Sequence, residues 1–210
     1  MHRLLLFLSV VTLVIVNTSC KKGKANFILR GILTDHTFHT ALDGANVQLR
    51  VTEAGGNATS IIEEMTTDSD GMYAFTFPRD LVEKYELIIT KENYFTIEGL
   101  IKFDDLTIEE DNVRDYHTTA KSWVRLRFTN TDPDPADVLQ YIKQEGKEHC
   151  PICCPDTDQF LQGAIDTSIY CINDGNTVYS YYYWLHNTSN QGLKSVITLP
   201  FDTTEIFLSY

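Results

Sequence analysis

The sequence predicts an all-β chain of two tandem β-sandwiches, and three observations carry that expectation. Clusters of Asp, Asn, Gly, Ser and Pro recur roughly every ten residues, the spacing of turns between short strands. Between them apolar and polar residues alternate: Val47, Leu49 and Val51 against Asn46, Gln48 and Arg50, then Val124, Leu126 and Phe128 against Trp123, Arg125 and Arg127. That alternation puts one strand face on a core. No long stretch carries the period of an amphipathic helix.

Residues 1–19 have the order of a secretory signal: Arg3, an apolar run from Leu4 to Val16, then small polar residues leading to Cys20. A spanning helix needs about 20 mostly apolar residues, and this run stops at Asn17. A cysteine directly after such a segment resembles the bacterial lipoprotein signal. The resemblance implies cleavage before Cys20, acylation of its thiol (palmitate among the chains) and a lipid anchor in the outer membrane, facing the periplasm or the surface. Residues 20–25, with Lys21, Lys22 and Lys24, then form a solvated tether.

Residues 26–118 read as the first sandwich. Phe27, Leu29, Ile32 and Leu33 make a strand closed by Asp35, Ala45 to Val51 a second, and Gly55-Gly56-Asn57 a turn. Ser60 to Met65 leads to Thr67-Asp68-Ser69-Asp70-Gly71, after which Tyr73, Phe75 and Phe77 alternate. This stretch is expected to reverse as a β-hairpin with Gly71 at the positive-φ position. Tyr85 to Thr90, Tyr94 to Phe103 and Val113 to His117 supply the remaining strands. Asp68 and Asp70 invite a calcium reading, but the acids that would complete such a loop do not follow, so they are read as turn residues and no metal site is expected. His36 and His39 are expected in a loop at one end.

Taken in order, Gly31 to Asp35, Leu42-Asp43-Gly44-Ala45-Asn46-Val47, Asp68 to Phe75, Tyr85 to Ile89 and Asn93-Tyr94 resemble the carboxypeptidase regulatory-like domain. The resemblance covers about residues 26 to 103 and implies a transthyretin-like sandwich. Nothing in the shared pattern is catalytic, and fold likeness alone does not supply an activity.

Residues 119–210 read as the second sandwich. Trp123 to Phe128 is a strand. Asp134-Pro135-Ala136-Asp137 offers an N-cap and a proline at the first helical position, so a short helix through Val138, Leu139, Tyr141 and Ile142 is expected, with a bent strand as the other reading. Thr167 to Ile172, Thr177 to Leu185, Lys194 to Leu199 and Thr204 to Leu208 are strands, with Asp174-Gly175-Asn176 as a hairpin turn.

Four cysteines lie in this half: Cys150, Cys153 and Cys154 within His149-Cys150-Pro151-Ile152-Cys153-Cys154-Pro155, and Cys171 in a strand. Three readings compete. A redox pair would sit at a helix N-terminus in a βαβ setting, which the sequence does not offer. Zinc could take Cys150, Cys153, Cys171 and either His149 or Cys154. The oxidising compartment implied by the signal favours disulfides. Cys153 and Cys154 are too close in sequence to bond each other without strain, leaving Cys171 to one of them and Cys150 to the other. The richest aromatic run sets Tyr179, Tyr181 and Tyr183 against Tyr182 and Trp184. These are candidate ligand-contacting aromatics for a sugar ring or a protein partner, with burial on both faces as the plainer alternative.

The formal charge of −12 becomes −13 once Arg3 leaves with the signal, which disfavours a nucleic-acid partner. The sequence carries no metalloprotease, nucleophile-elbow or phosphate-loop motif, and no cofactor or catalytic residue is expected. The expected function is a non-catalytic envelope lipoprotein that binds or scaffolds, accessory to an outer-membrane uptake or adhesion system. The alternative is a metal-binding or thiol-redox factor built on the four cysteines.

Overall fold

The computed structural model of the chain describes residues 25–56, 58–150 and 152–210. The signal segment, Cys20 with its lysine-rich tether to residue 24, and Asn57 of the first turn lie outside the described residues.

Two pairs of sheets enclose two separate cores. In the first half the strands are β1 (Asn26–Asp35), β2 (Thr40–Ala41), β3 (Asn46–Glu53), β4 (Thr59–Thr66), β5 (Met72–Pro78), β6 (Val82–Thr90), β7 (Ile97–Lys102), β8 (Asp111–Val113) and β9 (Tyr116–Thr118). One sheet is built on β1, which pairs antiparallel with β2 and β5 and parallel with β8 and β9. The other runs β4-β3-β6-β7. Alternation decides which side chains meet between them: Phe27, Leu29 and Leu33 of β1 and Tyr73, Phe75 and Phe77 of β5 face Val47 and Leu49 of β3 and Tyr85, Leu87 and Ile89 of β6. Their intervening neighbours point to solvent, as the period of two requires.

The second half comprises β10 (Lys121–Thr129), β11 (Val138–Glu145), β12 (Gln159–Gln162), β13 (Asp166–Asp174), β14 (Val178–Leu185), β15 (Gln191–Ile197) and β16 (Thr203–Ser209). A three-stranded sheet, β13-β10-β16, packs on a four-stranded one, β12-β11-β14-β15. Val124, Leu126 and Phe128 meet Leu139, Tyr141, Tyr179 and Tyr181 across the core. Phe128, Tyr141 and Tyr181 form an aromatic triangle with centroids 5.0 to 5.7 Å apart.

Three local expectations fail. The segment 138–145 is not a helix: Leu139 and Tyr141 are buried while Val138, Gln140 and Ile142 point outward, a strand pattern, and Asp134-Pro135 serves the turn before it. Among the described residues the only helical element is a 3₁₀ turn, Phe103–Asp105. The Asp68–Gly71 turn does not close a hairpin either, because β4 and β5 belong to opposite sheets. Gly71 does take the left-handed conformation, φ 72°. The Asp68 carboxylate accepts from the amides of Asp70 (3.0 Å) and Met72 (2.9 Å), making the bend a self-contained arch over the end of the sandwich. Asp174-Gly175-Asn176 is likewise an arch between β13 and β14 of opposite sheets, with Asn176 at φ 59°.

The two halves meet along the chain that leaves β9. Thr119 and Ala120 pass directly into β10, and Lys121 N–H donates to the Asn93 carbonyl (2.7 Å). Phe201, from the turn before β16, stands between Phe38 (5.8 Å) and Tyr94 (5.4 Å) of the first half. Tyr94 in turn donates to the buried Asp35 carboxylate (2.7 Å), which also caps the amides of Thr37 and Phe38. Burial, reinforced by the Asp35 carboxylate, pushes the Tyr94 hydroxyl well above its usual pKa.

Candidate functional site

Near its end β11 bulges between Lys143 and Glu145, and the chain then leaves the sheet as a strap, described over 146–150 and 152–158. The strap ties the four-stranded sheet to the three-stranded one. Lys147 N–H donates to the Asn173 side chain of β13 (2.7 Å), and Cys154 is bonded to Cys171, also on β13. Cys171 is fully buried on the core face, where the Tyr179 hydroxyl lies 3.2 Å from its sulfur. Cys150 is bonded to Cys153 and shapes the strap's tip. Beneath the strap lies the Lys143 ammonium, whose side chain is only 6% exposed; it donates to the carbonyls of Lys147 (3.0 Å) and Cys154 (2.9 Å) and sits 3.5 Å from Asp156. Four sulfurs and one buried cation thus fix a segment that has almost no secondary structure of its own. Among the described residues no group of three or more His, Cys, Asp and Glu is placed to hold a metal ion.

The tyrosine-rich strand divides by parity. Tyr179 and Tyr181, 1% and 0% exposed, fill the core and are not available to a ligand, which corrects their reading as contact aromatics. Burial there pushes their hydroxyls well above the usual tyrosine range. Tyr183 is half-buried at the end of the same face and donates to the Asn190 side chain (3.2 Å). Trp184 lies on the opposite, outward face with Tyr182, ring centroids 4.6 Å apart. Strand register sets Phe160 of β12 and Leu193 of β15 on that outward face, 59% and 58% exposed, with Ile142 beside Tyr182. Gln140 lies between Phe160 and Trp184 on this face, donating to Asp158 (2.9 Å) and bonded to the His186 ring (2.7 Å). Periodicity identified the strand; it could not say which of its two aromatic faces would be covered.

A cleft of about 620 Å³ lies where the two halves meet. The first half contributes His36, His117, Phe95 and Ile97; the second contributes Lys121, Lys147 and the strap residues His149 and Cys150. His36 lies in the 36–39 turn between β1 and β2, as expected, and its ring stacks on that of His117 from β9, centroids 3.8 Å apart and 5° from parallel. His39, at φ 57°, is exposed beyond it. Sequence reading missed Phe95, His117, Lys121 and Lys147 because they come from four segments and share no motif.

No protein-family model and no curated protein matches the chain. Solved structures do align, at low identity and low TM-score. A streptococcal ancillary pilin aligns over 88% of this chain and 62% of its own, at 12% identity and TM-score 0.37. The minor pilin of Streptococcus agalactiae aligns over 87% and 94%, at 13% identity and TM-score 0.35. A 3-chlorocatechol 1,2-dioxygenase of Rhodococcus opacus aligns over 46% and 60%, at 12% identity and TM-score 0.33. The β-sandwich assignment rests on the sheets themselves.

Proposed function

We propose that the chain is a non-catalytic lipoprotein of the cell envelope, held in the outer membrane through Cys20 and acting as a binding or scaffolding module accessory to an uptake or adhesion system. On this reading the first sandwich is a carboxypeptidase regulatory-like domain used as structure, and the second sandwich meets the partner. The observation that carries the reading is the outward face of β11, β12, β14 and β15. Trp184, Tyr182, Ile142 and Leu193 present an aromatic and apolar surface there, with Gln140 between Trp184 and Phe160 and His186 beside Gln140. Rigid aromatic surface with an amide group beside it suits a sugar ring or an apolar protein surface. The alternative needs either thiolates for a metal or a Cys-x-x-Cys pair at a helix N-terminus for redox work; all four sulfurs are bonded in pairs, and among the described residues no α-helix begins at Cys150.

The test is capture from native envelope. Full-length protein and a Tyr182→Ala, Trp184→Ala variant are compared for retained protein and glycan, with Cys20→Ser tested for release from the membrane fraction. The reading expects capture to be lost with the two aromatics while the fold persists, because neither side chain belongs to the core. Equal capture by the variant, or unchanged membrane partition of Cys20→Ser, overturns the corresponding half of the reading.

A further inference from the structure

A second site, separate from the aromatic platform, lies in the cleft between the sandwiches. The chain carries 29 acidic against 17 basic side chains, yet among the described residues no carboxylate lines this cleft. Two ammonium groups converge on the ring of Phe95 instead, Lys147 Nζ at 3.9 Å from its centroid and Lys121 Nζ at 5.5 Å. Their situations differ. Lys147 is paired with Asp174 (2.6 Å), whose same oxygen also takes the Thr119 hydroxyl. Lys121 has no ion-pair partner among the described residues. A cation on an aromatic wall, with one neighbour already neutralised, leaves about one unit of positive charge to be matched inside a concave space.

The remaining walls say what should carry the matching charge. Phe95, Ile97 and Ile152 are apolar, and the coplanar His36–His117 pair offers a flat edge with ring nitrogens. The cleft volume is that of sites which enclose a small organic molecule (about 300–1,000 Å³). The strap side is preorganised by the two disulfides and the Lys143 hydrogen bonds, so binding there would not have to order a loop. We infer that the cleft is a binding site for a small organic anion, a carboxylate or phosphate carried on a ring or short apolar body. Lys121 anchors the charge, Lys147 sits beside it, and Phe95, Ile97 and the imidazole pair hold the body.

The experiment titrates the full chain in detergent with benzoate, galacturonate, glucose 6-phosphate and inorganic phosphate, each organic anion against its neutral counterpart (benzamide, galactose, glucose). Heat is read by calorimetry and site by the ring-proton resonances of His36 and His117. The expected result is saturable binding of at least one organic anion that shifts both histidines, about tenfold or more weaker for the neutral counterpart. Lys121→Gln should weaken it by a similar factor, whereas Lys102→Gln, which removes an exposed lysine elsewhere, should not. Thr96→Glu, at an exposed lining position, adds a negative charge without touching a core and should abolish binding, which keeps the test decisive if Lys121→Gln destabilises the chain. The inference is overturned if no organic anion binds, if neutral counterparts bind equally well, or if neither cleft variant changes affinity. Benzoate against the sugar anions distinguishes an aromatic acid from an acidic sugar. Binding of inorganic phosphate alone refutes a site for an organic body.

Discussion

Replacing Gly71 by alanine separates the two things this residue does. Gly71 and Gly44 both lie in the left-handed region, φ 72° and 67°, so a side chain at either carries the same conformational penalty, about 1 kcal/mol. Only their surroundings differ. A Cβ at Gly44 meets nothing within 4 Å, whereas at Gly71 it would press on the Leu33 carbonyl oxygen and come within 3.1 Å of Leu42 N. Those backbone groups are themselves engaged: Leu33 N–H donates to the Gly71 carbonyl and Leu42 N–H to the Leu33 carbonyl, both at 2.9 Å. Distorting two such bonds adds about 1 kcal/mol each, giving about 3 kcal/mol for Gly71→Ala against about 1 kcal/mol for Gly44→Ala. At roughly 4–8 °C per kcal/mol for a domain of this size, thermal unfolding of the first sandwich should fall by roughly 12–24 °C in one variant and 4–8 °C in the other. Both tryptophans, Trp123 and Trp184, lie in the second sandwich, so their fluorescence follows that half while ellipticity follows the whole chain. Equal shifts for the two variants would refute the close packing of the arch against β1.

Three further outcomes follow from the second half. Removing the Cys154–Cys171 bond by double substitution opens a loop closed over 17 residues and should cost about 3 kcal/mol, against about 2 kcal/mol for the three-residue Cys150–Cys153 loop; guanidinium midpoints in the reverse order would contradict this. Lys143→Met removes the donor to the Lys147 and Cys154 carbonyls, a loss of about 1–3 kcal/mol per stranded acceptor, and should speed amide exchange along 147–156 while leaving β10 protected. Burial pushes the Tyr141 hydroxyl from 10.0 up to about 12, so the folded state holds a proton that the unfolded state releases. That stabilisation is complete below pH 10 and is lost as pH rises from 10 towards 12. Tyrosinate absorbance should therefore appear in step with unfolding, and full ionisation near pH 10 with unchanged ellipticity would count against the buried placement.

Strands were legible where one face is wet and the alternation runs long, as along Asn46–Glu53 and Lys121–Thr129, because burial of one face imposes a period of two. Connections were not. Asp68–Gly71 and Asp174–Asn176 have the Asp, Gly and Asn chemistry of hairpin turns, but the same local conformations serve an arch between sheets, and which occurs depends on distant strand pairing. The helix expected after Pro135 failed for a related reason. Val138, Leu139, Tyr141 and Ile142 satisfy a helical spacing and a strand alternation equally, and pairing of β11 with both β12 and β14 decided between them. The cleft was illegible because Lys121 and Lys147 acquire meaning only through Phe95, which reaches them from another sandwich.

The direction of β1 connects the anchor to the cleft. The strand begins at Asn26, where the Ala25 carbonyl accepts from Arg79 N–H, and ends at Asp35, which supports Tyr94 at the junction with the second sandwich. Ten residues at about 3.3 Å each span about 33 Å, so the chain enters the first sandwich at the end opposite the cleft. On the proposed anchoring at Cys20, the first sandwich is a spacer of that length, made rigid by its own core. An anionic head-group surface decays over about 8 Å at physiological ionic strength, several times less than the spacer. Lys121 is then governed by the charges of its own cleft and not by the membrane, and an anion should bind equally well to the tethered chain and to the form released by Cys20→Ser. A marked difference between the two would mean that the cleft lies close to the lipid and that β1 does not stand away from it.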